Sequence, residues 1–359
     1  MNVLFVDDIG GAAIRRDPDT YIQYAAVNWE KCFTGKTEII YWQSATIDEA
    51  NDYDLVLIKL LPDPNIQRLN KALEIALNPG RSYKVIISID DVVGWQFNSF
   101  PLNEKLLYTR VLKSVDYIIH FGLPQSNGYW DIICQGTPHF NITRPYPIET
   151  AKSIRGNSYM PEAETLIRIR HLADGTRKGL IALDNGLNRI NGERNIISSL
   201  GLAKYLQQKT SYDIMAFVCD KGIEGIDREM YYREICGIEN MIEIPSVSWL
   251  DYIKILSNVQ YAIHLDCLET LGQFALCCAC LKIPLICSGS HAAKALFPFT
   301  YLEHCRDIDQ ARIIVDQLLE SETFSSQVIG FAFDKANEFS VNAIKPKLAQ
   351  MLGVEEICL

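Results

Sequence analysis

The feature that most constrains this chain is a rhythm. Short apolar runs rich in β-branched residues alternate with amphipathic stretches along much of its 359 residues. Residues 3–7, 38–42, 55–59, 84–89 and 117–121 read as strands, and 139–142 adds a shorter one ahead of Pro145-Tyr146-Pro147. Helical stretches fall between them, for example 19–33 and 65–77. Alternation of this kind builds parallel sheets whose connections cross over right-handed, with helices packed on the faces. The first half therefore predicts an α/β domain.

From 145 to 175 the rhythm weakens into prolines, Gly156-Asn157-Ser158 and a charged stretch, which places a domain boundary near residue 160. It then resumes. Strands are expected at 179–183, 213–219, 241–244, 261–265 and 284–287, with helices at 194–208, 249–257 and 273–281. The stretch 325–352 reads as helical, with Gly353 as its stop. Single cores stop growing at roughly 250–300 residues, so two domains suit the length.

Composition narrows the function classes. A formal net charge of −10 argues against a surface that binds nucleic acid mainly by neutralising phosphates, though it leaves room for a local basic groove. Eleven cysteines is an odd number with no export signal beside it, so free thiols in a reducing cytoplasm are expected. The first strand is interrupted by Asp7 and Asp8 and lacks a basic leader, unlike a signal peptide. No apolar run approaches the ~20 residues that span a bilayer. No dinucleotide fingerprint or P-loop is present.

The most informative segment is 261–291, YAIHLDCLETLGQFALCCACLKIPLICSGSH. A strand ends near Leu265, a loop carries Glu269 and Gly272, and a helix begins after the glycine. Open α/β sheets bind ligands at the carboxyl ends of their strands, where the free N–H groups of helix starts favour phosphate. Glu269 would stand beside that anion site and accept hydrogen bonds from hydroxyls. The plain alternative is a solvated glutamate and a glycine serving a turn.

This segment resembles the donor-site signature of retaining glycosyltransferases with the GT-B fold, family 4 in particular. Leu265 to Gly272 falls where that family has Pro-Ser-x-x-Glu-x-Phe-Gly, Cys277-Cys278-Ala279-Cys280 where it has Glu-Ala-Met-Ala, and Lys282-Ile283-Pro284 where it has Gly-x-Pro. The resemblance implies two Rossmann-like domains facing a cleft, with Glu269 on the donor sugar. It places Gly272, Gln273, Cys277 and Ser288 on the donor side. Cys277 stands where the family's second glutamate would hold the ribose, and a neutral thiol cannot bind two hydroxyls as a carboxylate does.

A second match lies at Arg189 and Arg194, which reproduce the family's Gly-Arg, four residues, Lys pattern with Arg194 in place of Lys. Two cations there would stabilise the charge building on a departing nucleoside diphosphate. Alone, the same pair reads as two arginines on a solvated loop and helix start. Gly10 and Gly11 after the first strand resemble the family's glycine loop facing the acceptor. Asp90 and Asp91, after the fourth strand, sit where relatives carry a His-Asp pair. They would orient an acceptor hydroxyl or serve as base; a helix N-cap is the alternative. Phe339-Ser340 and the helix that follows resemble the family's terminal helix, which crosses back to the N-terminal domain.

The cysteines Cys277 and Cys280, with Cys267, Cys287 and His264 nearby, invite a metal-site reading. Their placement on one apolar helix favours packing instead. The expectation is thus an N-terminal acceptor-side domain at 1–160, a C-terminal nucleotide-sugar domain at 161–335 and a terminal helix at 336–359. The expected activity is transfer of a sugar from a nucleoside-diphosphate sugar, with no obligatory metal, to an acceptor the sequence does not name. A glycan, a lipid-linked sugar, a protein side chain and a hydroxymethylated DNA base are all open. The competing reading is a non-catalytic binding protein whose donor site has degraded at Cys277. An epimerase on the same fold would need an acid/base set that the sequence does not supply.

Overall fold

Among the described residues, twelve strands form two separate sheets of six, and every pairing between them is parallel. The computed structural model describes residues 1–8, 10–17, 25–60, 66–89, 101–121, 127–134, 136–154, 179–184, 195–217, 231–238, 241–244, 247–267 and 270–355. The chain divides into two compact units, Met1–Pro147 with Glu338–Leu359, and Ile148–Asn337.

The first unit holds β1 (Val3–Asp7), β2 (Thr37–Tyr41), β3 (Leu55–Leu60), β4 (Lys84–Ile89), β5 (Tyr117–His120) and β6 (His139–Asn141), in the order β2-β1-β3-β4-β5-β6. Because side chains alternate across a strand, each strand feeds two cores. Leu4, Val6, Val56, Ile58, Val85 and Ile87 face one core with Leu69, Tyr108, Val111 and Trp130 from the helices Ile66–Ala76, Leu102–Lys113 and Asn127–Cys134. Val3, Phe5, Leu55, Leu57 and Ile86 face the other, with Trp29 and Phe33. Burial on both faces explains why these strands read as nearly continuous apolar runs.

The second core also takes in Ile344, Leu348, Met351 and Leu352 from the helix Val341–Leu352, so the end of the chain covers a face of the first sheet. The stretch expected to be helical over 325–352 divides at Phe339-Ser340, where the terminal helix was expected to begin. Glu322–Lys335 ends in a 3₁₀ turn at Ala336–Phe339, and Ser340 caps a new helix by accepting the Ala343 N–H at 3.2 Å. A serine cap satisfies an N–H that a continuing helix would have bonded internally, so it marks a start rather than an interior.

The second unit holds β7 (Leu180–Leu183), β8 (Asp213–Phe217), β9 (Met241–Ile244), β10 (Tyr261–Leu265), β11 (Leu285–Ser288) and the two-residue β12 (Tyr301–Leu302). Their order is β12-β11-β10-β7-β8-β9. Counted within the unit this is 6-5-4-1-2-3, the doubly wound order whose winding reverses between its first and fourth strands. The reversal leaves a crevice at the carboxyl ends of β7 and β10, because the connections from those two strands leave in opposite directions. The helix Gln273–Leu281 is buried from Phe274 through Leu281, so it shows no amphipathic stripe and carries four small apolar-type positions (Cys277, Cys278, Ala279, Cys280) against its neighbours. Among the described residues no helix is long and apolar enough to cross a membrane.

Candidate functional site

The crevice of the second unit is built from the ends of β7, β10 and β11. Ile263 of β10 lies beside Leu183 of β7, which brings His264 abreast of Asp184. His264 Nδ1 is 3.1 Å from Asp184 Oδ2, and Nε2 is 3.2 Å from Asp266 Oδ2. The Nε2 contact with Asp266 is a hydrogen bond and orients the ring, while Nδ1 lies within ion-pair range of Asp184. Asp266 is fully buried, and its carbonyl accepts the Ser288 hydroxyl at 2.7 Å, tying the end of β11 to the end of β10. From the opposite side Ser199 accepts the Leu265 N–H at 3.3 Å, so the helix Ile196–Thr210 begins against the same strand end.

Gly272 forms the start of the helix Gln273–Leu281. It has φ +82°, a left-handed conformation that L side chains seldom adopt, and it offers no side chain to cap the helix. A Cβ there would fall 2.2 Å from Ser290 Oγ and 2.8 Å from Ser290 Cβ. The close approach comes from a clamp: the His291 N–H donates to the Thr270 carbonyl (2.8 Å) and the Ala292 N–H to the Leu271 carbonyl (3.0 Å). The first turn of this helix contains no acidic residue, which suits the helix dipole to an anion there. This arrangement can receive an anion at the helix start and hold the approach to it rigid.

The residues that the sequence resemblance assigns to the donor differ in their surroundings. Gly272 and Gln273 stand at the helix start, with Gln273 half-buried. Ser288 is buried and its proton is committed to Asp266. Cys277 is 1% exposed inside the same helix. Burial pushes the Cys280 thiol up to about 12 and raises Cys278 and Cys287 as well, so these cysteines pack as neutral thiols. Arg189, Arg194 and Glu269 lie outside the described residues, as do Asp90 and Asp91.

The first unit has its own crevice, between β1 and β3, where the winding of that sheet reverses. Asp7, 3% exposed, ends β1 and accepts the Asp8 N–H at 2.6 Å. Lys59 of β3 lies 3.7 Å from Asp7 and 3.8 Å from Asp8, and Arg68 pairs with Asp8 while its guanidinium sits 5.4 Å over the Trp42 ring. Burial lowers Arg68 below the usual guanidinium range, and Asp7 opposes that shift. Gly10 follows in extended backbone (φ −74°), and a Cβ on it would make only ordinary 3.6 Å contacts with Tyr41. Gly11 opens the short helix Gly11–Arg16.

A further cluster was not marked by the sequence. His120 ends β5 beside Ile89, the residue before Asp90, and is stacked on Trp130 with ring centroids 4.4 Å apart. Its Nε2 is 3.1 Å from His139 Nδ1, and His139 Nε2 is 2.9 Å from Asp131 Oδ1. Burial, with repulsion from His139 second, lowers His120 to about 3, so it stays neutral. The sequence signal for the strand-end members, such as Asp7, Lys59, His120 and His264, was a charged or imidazole side chain at or near the end of an apolar run, where parallel strands otherwise carry none; Arg68 and Asp131 lie on helices.

Two parallel six-stranded α/β units of this kind define a GT-B fold, the architecture of a class of glycosyltransferases. Solved structures with this fold match nearly the whole chain. HepE from Anabaena, in complex with UDP-glucose, superposes with a TM-score of 0.64 at 13% identity, covering 98% of this chain and 99% of that one. Sucrose-phosphate synthase from Thermosynechococcus elongatus gives 0.62 at 12% identity, covering 98% of each. An alpha,alpha-trehalose-phosphate synthase (UDP-forming) from Burkholderia xenovorans, in complex with glucose-6-phosphate, gives 0.59 at 11%, covering 83% of this chain and 73% of that one. No protein-family profile matches the chain, and no curated protein matches it by sequence.

Proposed function

We propose that this chain is a glycosyltransferase that moves a sugar from a nucleoside-diphosphate sugar, with UDP-glucose as the first donor to try, onto a hydroxyl acceptor with retention of configuration. The observation that carries the reading is the uncapped helix start at Gly272, held by its clamp beside the crevice of a 6-5-4-1-2-3 sheet. A diphosphate suits that position because free amides and the helix dipole favour negative charge there. The UDP-glucose complex of the Anabaena protein and the UDP-forming synthase point to the same donor class.

In this reading Arg189 and Arg194 neutralise the leaving diphosphate, and Glu269 accepts hydrogen bonds from the donor sugar. The amides at Gly272 and Gln273 hold phosphate oxygens. Ser288 and His264, each hydrogen-bonded to Asp266, position the strand ends, with Asp184 beside the imidazole. Gly10, Gly11, Asp90 and Asp91 serve the acceptor, with Asp91 orienting its hydroxyl or taking its proton. No metal is obligatory, because the cations and the helix start carry the leaving-group charge. The reading implies a cytoplasmic protein. Its acceptor is more readily a glycan or small sugar than a hydroxymethylated DNA base, given the net charge of −10.

A second reading has a specific observation behind it. On the sequence resemblance, Cys277 stands where the family's ribose-binding carboxylate would be, and it is 1% exposed. A protein that binds a donor weakly and never turns it over would carry such a change. Release of nucleoside diphosphate from UDP-, GDP- and ADP-glucose, measured with glucose and glucose-6-phosphate as acceptors, separates the two. Steady release that disappears in Glu269→Ala and Arg194→Ala supports the transferase. Donor binding with no release above a heat-inactivated control supports the binding protein.

A further inference from the structure

We infer that Cys267 and Cys305 form a reversible thiol–disulfide site that closes by exchange with a small-molecule disulfide and staples the exit of β10 to the segment ahead of the helix Ile308–Glu320. Their sulfurs are 2.8 Å apart although the residues are 38 apart in the chain. A disulfide bond is about 2.05 Å long, so closure asks the two sulfurs to approach by less than about 1 Å. Both cysteines are free. Cys267 is exposed and Cys305 half-buried, whereas Cys277, Cys278, Cys280 and Cys287 are buried away from any solvent-borne reagent.

What the staple would hold is visible in the contacts around it. Cys267 directly follows Asp266, the fully buried residue bonded to His264 and Ser288. The carbonyl of Cys305 accepts Asn195 Nδ2 at 2.6 Å, and Asn195 is the left-handed N-cap (φ 45°) that starts the helix Ile196–Thr210. Ser198 in turn donates to Asn195 Oδ1 at 2.8 Å. A Cys267–Cys305 bond would therefore link three chain segments at the carboxyl edge of the second sheet. In the thiol state no covalent bond joins these segments among the described residues.

The chemistry balances without any other component. A protein thiolate attacks one sulfur of the small disulfide and releases one thiol. The second protein thiolate then attacks the mixed disulfide and releases the other. Two protein S–H bonds are lost and one S–S bond forms. Two electrons pass to the small disulfide, which leaves as two thiols carrying the protons. Burial, reinforced by the hydrogen bond with Cys305, pushes Cys267 up to about 12, with Arg306 opposing, so Cys267 rests as a thiol at neutral pH. Exchange through it accelerates as pH rises and its thiolate fraction grows.

On the proposed function, the staple preorganises the donor side. Cys267 stands two residues before Glu269, and Asn195 directly follows Arg194. Fixing the backbones of Cys267 and Asn195, close to those residues in the chain, lowers the ordering cost of binding, so oxidation should tighten donor affinity by about threefold or more.

The test uses the full chain incubated with glutathione disulfide, alkylated, and digested without reductant. The expected product is a cross-linked peptide joining Cys267 to Cys305, reversed by dithiothreitol and absent from Cys267→Ser and Cys305→Ala. Amide exchange in 261–267 and 195–200 should slow on oxidation in the wild type and stay unchanged in Cys305→Ala. A glutathione adduct that persists on Cys267 without the cross-link, pairing with another cysteine, or unaltered amide exchange would each overturn the inference. UDP-glucose titrations of both redox forms complete it. Equal affinity in the two forms overturns the preorganisation. No binding by either form overturns the functional reading, while the peptide map still decides the disulfide.

Discussion

Replacing Gly272 with alanine tests the rigid helix start most sharply, because its cost can be worked from two separate distortions. An L-residue at φ +82° costs about 1–2 kcal/mol of backbone strain. The new Cβ would also lie 2.2 Å from Ser290 Oγ and 2.8 Å from Ser290 Cβ. Ser290 is fully buried and its hydroxyl caps the helix His291–Leu296 by accepting the Ala293 N–H at 3.1 Å, so it cannot simply turn away. Overpacking of that kind costs about 1–3 kcal/mol. Gly272→Ala should therefore destabilise the second unit by about 2–5 kcal/mol. Ser290→Gly removes both clashing atoms, and the remaining neighbour, Ala292 Cβ at 3.4 Å, makes an ordinary contact. Exchanging the serine cap for glycine costs only a few tenths of a kcal/mol, so the double variant should recover about 1–3 kcal/mol and keep the backbone strain. Urea titrations read by amide exchange in peptides from 273–281 report this unit alone. A single variant costing under about 1 kcal/mol, or a double variant with no recovery, would refute the reasoning.

Other perturbations follow from the same contacts. Asp266→Ala leaves His264 without one carboxylate in a buried setting and should cost about 3 kcal/mol in the second unit; a change in urea midpoint worth less than 1 kcal/mol counts against it. His120 is depressed to about 3 against an ordinary value near 6.5, so below pH 6.5 the unfolded chain binds a proton that the folded one refuses. The stability of the first unit should therefore fall as pH drops, by about 2 kcal/mol between pH 7 and 5 from this group. His120→Phe should flatten that part of the profile in paired urea titrations, and an unchanged slope would contradict it. Leu348→Ala empties a fully buried position and should cost about 2–5 kcal/mol. Amide protection should then be lost in β1 and β3 rather than in β7 and β10, since the helix Val341–Leu352 packs with the first sheet.

Much of the fold was legible because parallel strands buried on both faces leave an unbroken apolar record. Residues 3–7, 84–89, 241–244 and 261–265 were read with the bounds the structure gives. β12 escaped because two residues, Tyr301 and Leu302, carry no period. The helix Leu102–Lys113 escaped because Leu102 and Leu106 are exposed and blur its apolar stripe. The site was legible only where it is local in sequence. Gly272 announces a left-handed turn before a helix, and Ser288 closes a strand. The Asp184–His264–Asp266 set depends on β7 and β10 becoming neighbours, which the order of the sheet decides and no local pattern records. Cys267 and Cys305 meet for a similar reason: the chain between them forms β11 and β12 before returning to the end of β10.

Donor binding at the helix start after Gly272 is the proposed function of the second unit. Its most direct test is a thermal-shift titration of the reduced full chain with UDP-, GDP- and ADP-glucose, alongside Arg194→Ala. A ligand that binds only the folded state stabilises it by about 2.7 kcal/mol at a hundred times its Kd. The expected result is a saturable rise in Tm with one of the three donors, greatly reduced in Arg194→Ala. No rise with any donor in the wild type, or an equal rise in Arg194→Ala, would contradict it.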